Sequence, residues 1–267
     1  MKNNDTIIMA EIIDDLNEEK EKKEETKEKK EIKEEKKSKK VKPLLQTCFQ
    51  NDDFVELGVD EAGRGPLFGR VYSAAVILPK DDSFDHSRMK DSKTFHSEKK
   101  IKEVAEYIKE NAIAWSVTFE DEQTIDKINI LQATQKSMHH SILQTMAKYN
   151  NKNNEKKDFR LLIDGNYFKP FTKDEEVKID IYCNKYIPLC IEKGDNTYTA
   201  IAAASILAKV ERDQYILDLC ESHPELGEKY GIHSNKGYGA KKHLEGIKEH
   251  GITIWHRRSF GICKQFS

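Results

Sequence analysis

Between residues 18 and 42 the chain carries 12 Lys and 9 Glu, so 21 of 25 consecutive positions are charged. Such a segment cannot bury enough apolar surface to offset the entropy of ordering it. Glu18/Lys22, Glu19/Lys23, Glu25/Lys29 and Glu35/Lys39 are spaced i,i+4 in the favourable sense, which suits a solvated helix. Each such pair contributes only about 0.2–0.5 kcal/mol, and no apolar stripe accompanies them. The expectation is a charged extension over 1–42, mobile or partly helical, ending near Pro43. The fold must then be built from 43–267, a length ample for one layered domain with a real interior.

Several classes are excluded at once. No run approaches the ~18 apolar residues that span a bilayer. The first residues mix Ile with Asp and Glu and lack the basic and apolar regions of a secretory signal. Five cysteines, an odd number with no C-x-x-C, suggest neither a disulfide framework nor a zinc site. A reducing, cytoplasmic setting fits, with the thiols as small buried groups.

Periodicity predicts strands over Phe54–Asp60, Arg70–Leu78, the alternating Ile113, Trp115, Val117 and Phe119, Phe159–Ile163 and Val177–Ile181. Helical patterns follow Ser97 (Ile101, Val104, Ile108 inward) and Asn129 (Leu131, Met138, Ile142, Met146 inward). A long helix is expected over Thr197–Cys220 and a short one over Lys241–His250, with a surface loop over Asn150–Asp158. Three early strands with no full-length helix between them argue for an antiparallel meander in a mixed sheet. Helices would cover both faces, an α/β class.

The densest chemical signal is Asp60-Glu61-Ala62-Gly63-Arg64-Gly65-Pro66 at the end of the first strand. Adjacent carboxylates disfavour joint ionisation unless a cation lies between them, and Mg²⁺ or Mn²⁺ supplies one with oxygen ligands. The glycines let the backbone turn and approach a ligand, and Arg64 adds a donor fork. A charged turn between strands is the plain alternative. Gly69 stands one place too late for a dinucleotide fingerprint. Strand alternation sends Asp60 and Glu61 to opposite faces, so both reach one ion only if the strand breaks at Glu61.

Asp164 closes another apolar run, although Asp164-Gly165 also reads as a hairpin turn. Asp195 precedes the long helix, where it can simply favour the helix N-terminus. Together the four acids are enough for two divalent ions and phosphoryl chemistry. The long helix is rich in small residues from Ala200 to Ala208, as tight packing on a sheet requires, while Lys209, Arg212 and Asp213 read as solvated. Residues 229–264 hold 8 Lys/Arg against 2 Glu, interleaved with Tyr238 and Trp255. That pattern suits a polyanion partner or merely a wet surface. Tyr238 sits on a glycine-flanked loop suited to stacking on a base or sugar.

Gly58-Val59-Asp60-Glu61-Ala62-Gly63-Arg64-Gly65-Pro66, Asp91-Ser92-Lys93, Ile163-Asp164-Gly165, Lys193-Gly194-Asp195, Ala202-Ala203-Ala204-Ser205, Lys236-Gly237-Tyr238-Gly239 and His256-Arg257-Arg258-Ser259-Phe260 follow in an order that resembles ribonuclease HII. The resemblance spans about Val55 to Phe260. It implies a ribonuclease H-like fold, a five-stranded mixed sheet flanked by helices with a helical C-terminal part. It implies metal-binding catalytic acids at Asp60, Glu61, Asp164 and Asp195, holding Mn²⁺ or Mg²⁺, two ions during catalysis. Gly63, Arg64 and Gly65 would contact the ribonucleotide and its 2′-hydroxyl, Tyr238 would stack near an RNA–DNA junction, and Lys93 and Ser205 would contact phosphate. The implied partners are RNA/DNA hybrid and DNA duplex containing ribonucleotides, with no membrane and a monomeric protein. Cleavage 5′ of the ribonucleotide would leave 3′-hydroxyl and 5′-phosphate ends. Arg70 and Thr94-Phe95-His96 depart from the commoner family residues. The sister family ribonuclease HIII, whose glycine motif lacks the arginine, and a non-catalytic binding module are the alternatives.

Overall fold

The structure, a computed structural model, describes residues 44–266; the charged extension expected over 1–42 lies outside them. A compact unit begins at Leu45. Strands β1 (Val55–Ala62), β2 (Val71–Ile77), β3 (Ala114–Glu120), β4 (Lys157–Asp164) and β5 (Cys183–Ile191) form one sheet in the order β3-β2-β1-β4-β5. β1–β2 and β2–β3 are antiparallel, and β1–β4 and β4–β5 are parallel. The meander is present, but its premise needs correction, because helix α1 (Glu98–Asn111) does intervene between β2 and β3.

Alternation along the strands supplies the two sheet faces. Ala74 and Val76 on β2 pack with Ile101, Ala105 and Ile108 of α1 and with the Ala200–Ala208 stretch of α4 (Thr199–Ser222). Leu57, Val59, Ala75, Ile77, Leu161 and Ile163 face the other way, onto Met138, Ile142 and Met146 of α2 (Glu122–Asn153) and Ile179 of α3 (Lys173–Tyr182). The small residues of α4 let it lie almost against the backbone of β1. A Cβ on Gly58 would stand 2.2 Å from the carbonyl carbon of Ala200.

Two expectations are corrected here. The segment Val177–Ile181 is helical, not the fifth strand. Thr172 and Glu175 form a reciprocal capping box that starts α3, leaving Val177 and Ile181 exposed and only Ile179 inward. The fifth strand is Cys183–Ile191, an edge strand that tolerates Pro188 because an edge has an unpaired side. On β3 the polar alternates Ser116, Thr118 and Glu120 are buried while Phe119 is 45% exposed. α2 covers that polar face, and the Thr118 hydroxyl donates to the Ser137 carbonyl at 2.7 Å. The stretch 150–158 is mostly ordered structure, since α2 continues to Asn153 and β4 starts at Lys157.

Asn129 does act as a cap. Its backbone leaves helical geometry (φ 65, ψ 164) and its side chain accepts from the Gln132 amide at 3.1 Å. A further start, capped by Asp121, precedes it, and Leu131 points outward rather than into the core. After α4 come α5 (Pro224–Tyr230), α6 (Ile232–Asn235) and α7 (Lys241–His250), of which only α7 was anticipated. They share a core with Phe68, Ile216 and Cys263. Cys183, Cys220 and Cys263 are buried thiols, but Cys48 is only partly buried and Cys190 is exposed. Among the described residues, no helix is long and apolar enough to cross a membrane.

Candidate active site

β1 pairs with β4 as far as Val59↔Ile163, and with β2 as far as Ala62↔Tyr72. The next step along the parallel register sets Asp60 beside Asp164, on strands ~4.8 Å apart. β1 does not break at Glu61, contrary to the condition set by its alternation. It loses its β4 neighbour instead, so both of its faces open onto one space at the end of the sheet. Asp60, Glu61 and Asp164 accordingly line a single cleft of about 420 Å³ with Gly63, Ser92, Lys93, Ser205, Lys209, Arg212, Asp213, Lys236 and Tyr238. Asp164-Gly165 is not a hairpin turn, because the next strand runs parallel to β4.

The electrostatics follow from burial. Asp60 is 5% exposed, and desolvation, followed by the charges of Glu61 and Asp164, holds its pKa well above the usual carboxylate range. Its Oδ1 accepts from the Glu61 amide at 2.7 Å, and the Ser205 hydroxyl also opposes the rise. Burial also raises Glu61, against the pull of Arg64, whose guanidinium donates to Glu61 Oε1 at 3.3 Å. Asp164 is raised by burial and then by Asp195, while the Gly194 amide donates to its Oδ1 at 2.7 Å. Lys93 faces the acids, lowering both Glu61 and Asp164.

Asp195 lies in the turn Gly194–Asn196, buried behind Asp164 rather than lining the cleft. Gly194 allows this approach, since a Cβ there would meet Ile201 at 2.5 Å and Asp164 at 3.3 Å. Among the described residues, no three His, Cys, Asp or Glu side chains are gathered tightly enough to hold a metal ion as they stand. One oxygen of each acid accepts from a nearby donor, Asp60 from the Glu61 amide, Glu61 from Arg64 and Asp164 from the Gly194 amide. The donor set is nonetheless all oxygen, buried or partly buried, and crowded with like charge, which fits a hard divalent cation.

Gly63 has φ +94, and a Cβ on it would overlap Arg212 Nε at 2.2 Å. At Gly65 a Cβ would be 3.6 Å from the Tyr238 ring, so the fold itself tolerates one. Tyr238 is half exposed at the rim. Ser205 reaches the cleft, but its hydroxyl is 3.0 Å from that of Ser92.

Arg212 corrects the expectation of a solvated cation. It is 2% exposed, donates to the Lys236 carbonyl at 2.8 Å and lies 5.8 Å from the Tyr238 ring centre. The signal was the helical spacing Ser205, Lys209, Arg212. Of the basic C-terminal residues, Arg257 is fully buried and Lys236 stands 3.6 Å from Glu98, so the cluster is not wholly a wet face. Trp255 is a partly buried ring packed on the C-terminal core, 4.6 Å from His223 and 6.4 Å from Phe68. Arg70, the departure noted above, is sandwiched between Phe119 and Tyr215 at 4.0 and 4.3 Å.

Known proteins agree with this architecture. Solved relatives include the ribonuclease H2 of Pyrococcus horikoshii, at TM-score 0.57 and 20% identity over 79% of this chain and 96% of that one. The ribonuclease HII of Archaeoglobus fulgidus, solved in a complex with PCNA, matches at TM-score 0.54 and 23% identity over 78% and 96%. These likenesses establish the fold. In sequence, the ribonuclease HII of Bacteroides thetaiotaomicron is 42% identical over 217 residues, covering 80% of this chain and 93% of the relative. That of Parabacteroides distasonis is 42% identical over 212 residues, covering 79% and 92%. The ribonuclease HII family model matches residues 57–263. With near-full-length relatives at this identity and the expected five-stranded fold beneath them, the chain belongs to the ribonuclease HII family and is a ribonuclease H.

Proposed function

We propose that this ribonuclease H hydrolyses RNA in RNA/DNA hybrids and cuts on the 5′ side of ribonucleotides embedded in duplex DNA. The ends left are a 3′-hydroxyl and a 5′-phosphate. The observation that carries the reading is the trio Asp60, Glu61 and Asp164, lining one cleft where burial and neighbouring carboxylates oppose their ionisation. Such a trio is tolerable when it shares Mn²⁺ or Mg²⁺, with Asp195, whose charge adds to the repulsion on Asp164, completing the acidic set. When bound, two such ions supply a more acidic attacking water, neutralisation at the scissile phosphate and stabilisation of the leaving 3′-oxygen.

The remaining roles belong to the chain's own groups. Lys93 sets a positive charge on the cleft wall for a phosphate. Ser205, whose hydroxyl lies 3.0 Å from that of Ser92 and bonds to Asp60, orients Asp60 and lines the cleft where a phosphate would lie. Gly63, Arg64 and Gly65 bring backbone and guanidinium donors close to the ribose, whose 2′-hydroxyl distinguishes RNA from DNA. The space left open by Gly65 beside the Tyr238 ring suits a stacked nucleotide at the junction. The setting is cytoplasmic and the working unit a monomer, with the charged extension over 1–42 dispensable for chemistry.

The test is cleavage of a DNA duplex holding one ribonucleotide, with Mn²⁺ or Mg²⁺ supplied. Asp60→Asn and Asp164→Asn are expected to abolish cutting while hybrid binding persists. Near-normal turnover in either variant refutes the assignment of the acids. Wild-type binding without cutting would favour a non-catalytic module.

A further inference from the structure

Arg257 and its neighbour His256 have no part in the chemistry above, yet they are among the most buried polar residues of the protein. The Arg257 guanidinium donates five hydrogen bonds, all to backbone carbonyls of one loop. Nε reaches Gly69 at 2.8 Å, Nη1 reaches Arg64 and Pro66 at 3.0 and 2.9 Å, and Nη2 reaches Gly63 and Arg70 at 2.6 and 3.1 Å. The peptide is planar and trans, so a carbonyl drawn toward Arg257 turns the next amide N–H away from it. The Arg64 and Gly65 amides are thereby fixed in direction. The Leu67 amide, on the far side of the Pro66 carbonyl, donates to Gly237 at 2.9 Å, one residue before Tyr238.

His256 reaches the same tyrosine by another route. Its Nε2 lies 3.1 Å from Nε2 of His243, whose Nδ1 lies 2.8 Å from the Tyr238 carbonyl. The Thr253 amide donates to His256 Nδ1 at 2.9 Å. One proton arrangement satisfies every bond with both rings neutral: His243 Nδ1–H donates to Tyr238, and His256 Nε2–H donates to His243. Burial favours that state by lowering both imidazole pKa values. Phe68 fills the gap between the two routes, and a Cβ on Gly237 would crowd its carbonyl at 2.9 Å.

We propose that His256 and Arg257 are positioning residues that lock the Gly63-Arg64-Gly65 loop to Tyr238 at one fixed spacing, and so set the enzyme's ability to act on an isolated ribonucleotide. This rests on the functional reading above. A lone ribonucleotide offers one 2′-hydroxyl and one junction, so the loop and the tyrosine must both be in place at once. A long hybrid offers many registers and tolerates a looser pair.

The experiment compares kcat and KM of the full chain on a duplex with one ribonucleotide and on a long RNA/DNA hybrid, with Arg257→Lys as the variant. The expected result is a loss of about 10- to 100-fold in kcat/KM on the single-ribonucleotide duplex, the scale of ångström misplacement. The loss on the long hybrid is expected to stay several-fold smaller. In a Tyr238→Ala background the effect of Arg257→Lys on the single-ribonucleotide duplex should largely vanish, because the two changes break one link. Equal losses on both substrates, or full additivity with Tyr238→Ala, would overturn the proposal. If Arg257→Lys does not melt cooperatively, His243→Phe, which cuts the link to Tyr238 but keeps a ring in the core, decides by the same criteria. A wild-type chain that cuts neither substrate overturns the functional reading instead.

Discussion

Gly58 lies in β1, two residues before Asp60, where the backbone of α4 packs directly on the sheet. Gly58→Ala would place a methyl carbon 2.2 and 2.4 Å from the carbonyl carbon and oxygen of Ala200, and 2.5 Å from the amide nitrogen of Ile201. Carbon atoms pack at about 3.5–4.0 Å, so α4 must retreat by at least about 1 Å. Overpacking of this kind costs about 1–3 kcal/mol, and the backbone of a buried helix sets this case at the upper end. At about 2–4 °C per kcal/mol for a domain of this size, the melting temperature should fall by roughly 5–10 °C. The same shift carries Ser205, Lys209 and Arg212 away from Asp60, all four lining the cleft. A misplacement of about 1 Å can cost 100-fold in rate, so turnover should drop by more than the stability loss alone explains. Thermal denaturation and cleavage of a single-ribonucleotide duplex below the melting transition measure the two effects. Ala200→Gly added to the variant should restore neither, because the clash is with backbone and not with the Ala200 methyl. A melting point within about 2 °C of wild type, or rescue by Ala200→Gly, would refute the close-approach argument.

Other expectations follow from the same geometry. Tyr238→Ala should lower kcat/KM most on single-ribonucleotide duplexes, and an equal loss on long hybrids would remove its stacking role. Burial lowers the His256 imidazole from 6.5 to about 3, so the unfolded chain binds an extra proton between those values. The stability it contributes is present above pH 6.5 and is lost as the pH falls toward 3. A proton NMR titration should find the His256 ring neutral to well below pH 6.5, and ordinary titration near 6.5 would count against the buried pair. Deleting residues 1–42 should leave turnover on either substrate unchanged within about twofold, a change worth well under 1 kcal/mol.

Two of the acids are conspicuous in the sequence because each follows an apolar strand run, and a carboxylate where a buried strand ends must meet solvent, a partner or an ion. Asp60 and Asp164 stand out on that ground alone. The strands themselves are readable too, since β1, β2 and β4 carry period-two or continuous apolar runs, whereas the mixed pairing is inferred from a missing helix that is in fact present. The error at Val177–Ile181 has a plain cause. Three apolar residues at alternate positions fit a strand as well as a helix with one inward face, and a side-chain cap at Thr172 settled the matter. The burial of the polar face of β3 is not legible in its alternation, because it depends on α2 bringing Ser137 to meet the Thr118 hydroxyl.

Residue order alone determined that this chain folds as an α/β ribonuclease H and marked the positions of its acids, since patterning and motif spacing are local properties of the chain. Whether Asp60 and Glu61 could share a cleft was decided by β4 ending its pairing at Val59, which opens both faces of β1 to the same space. Arg212 and Arg257 read as two more surface cations until the fold delivers the carbonyls they bind. Arg257 answers to groups up to 194 residues distant. Burying a charge is costly unless distant parts of the chain supply its hydrogen bonds, and only tertiary structure brings those parts together.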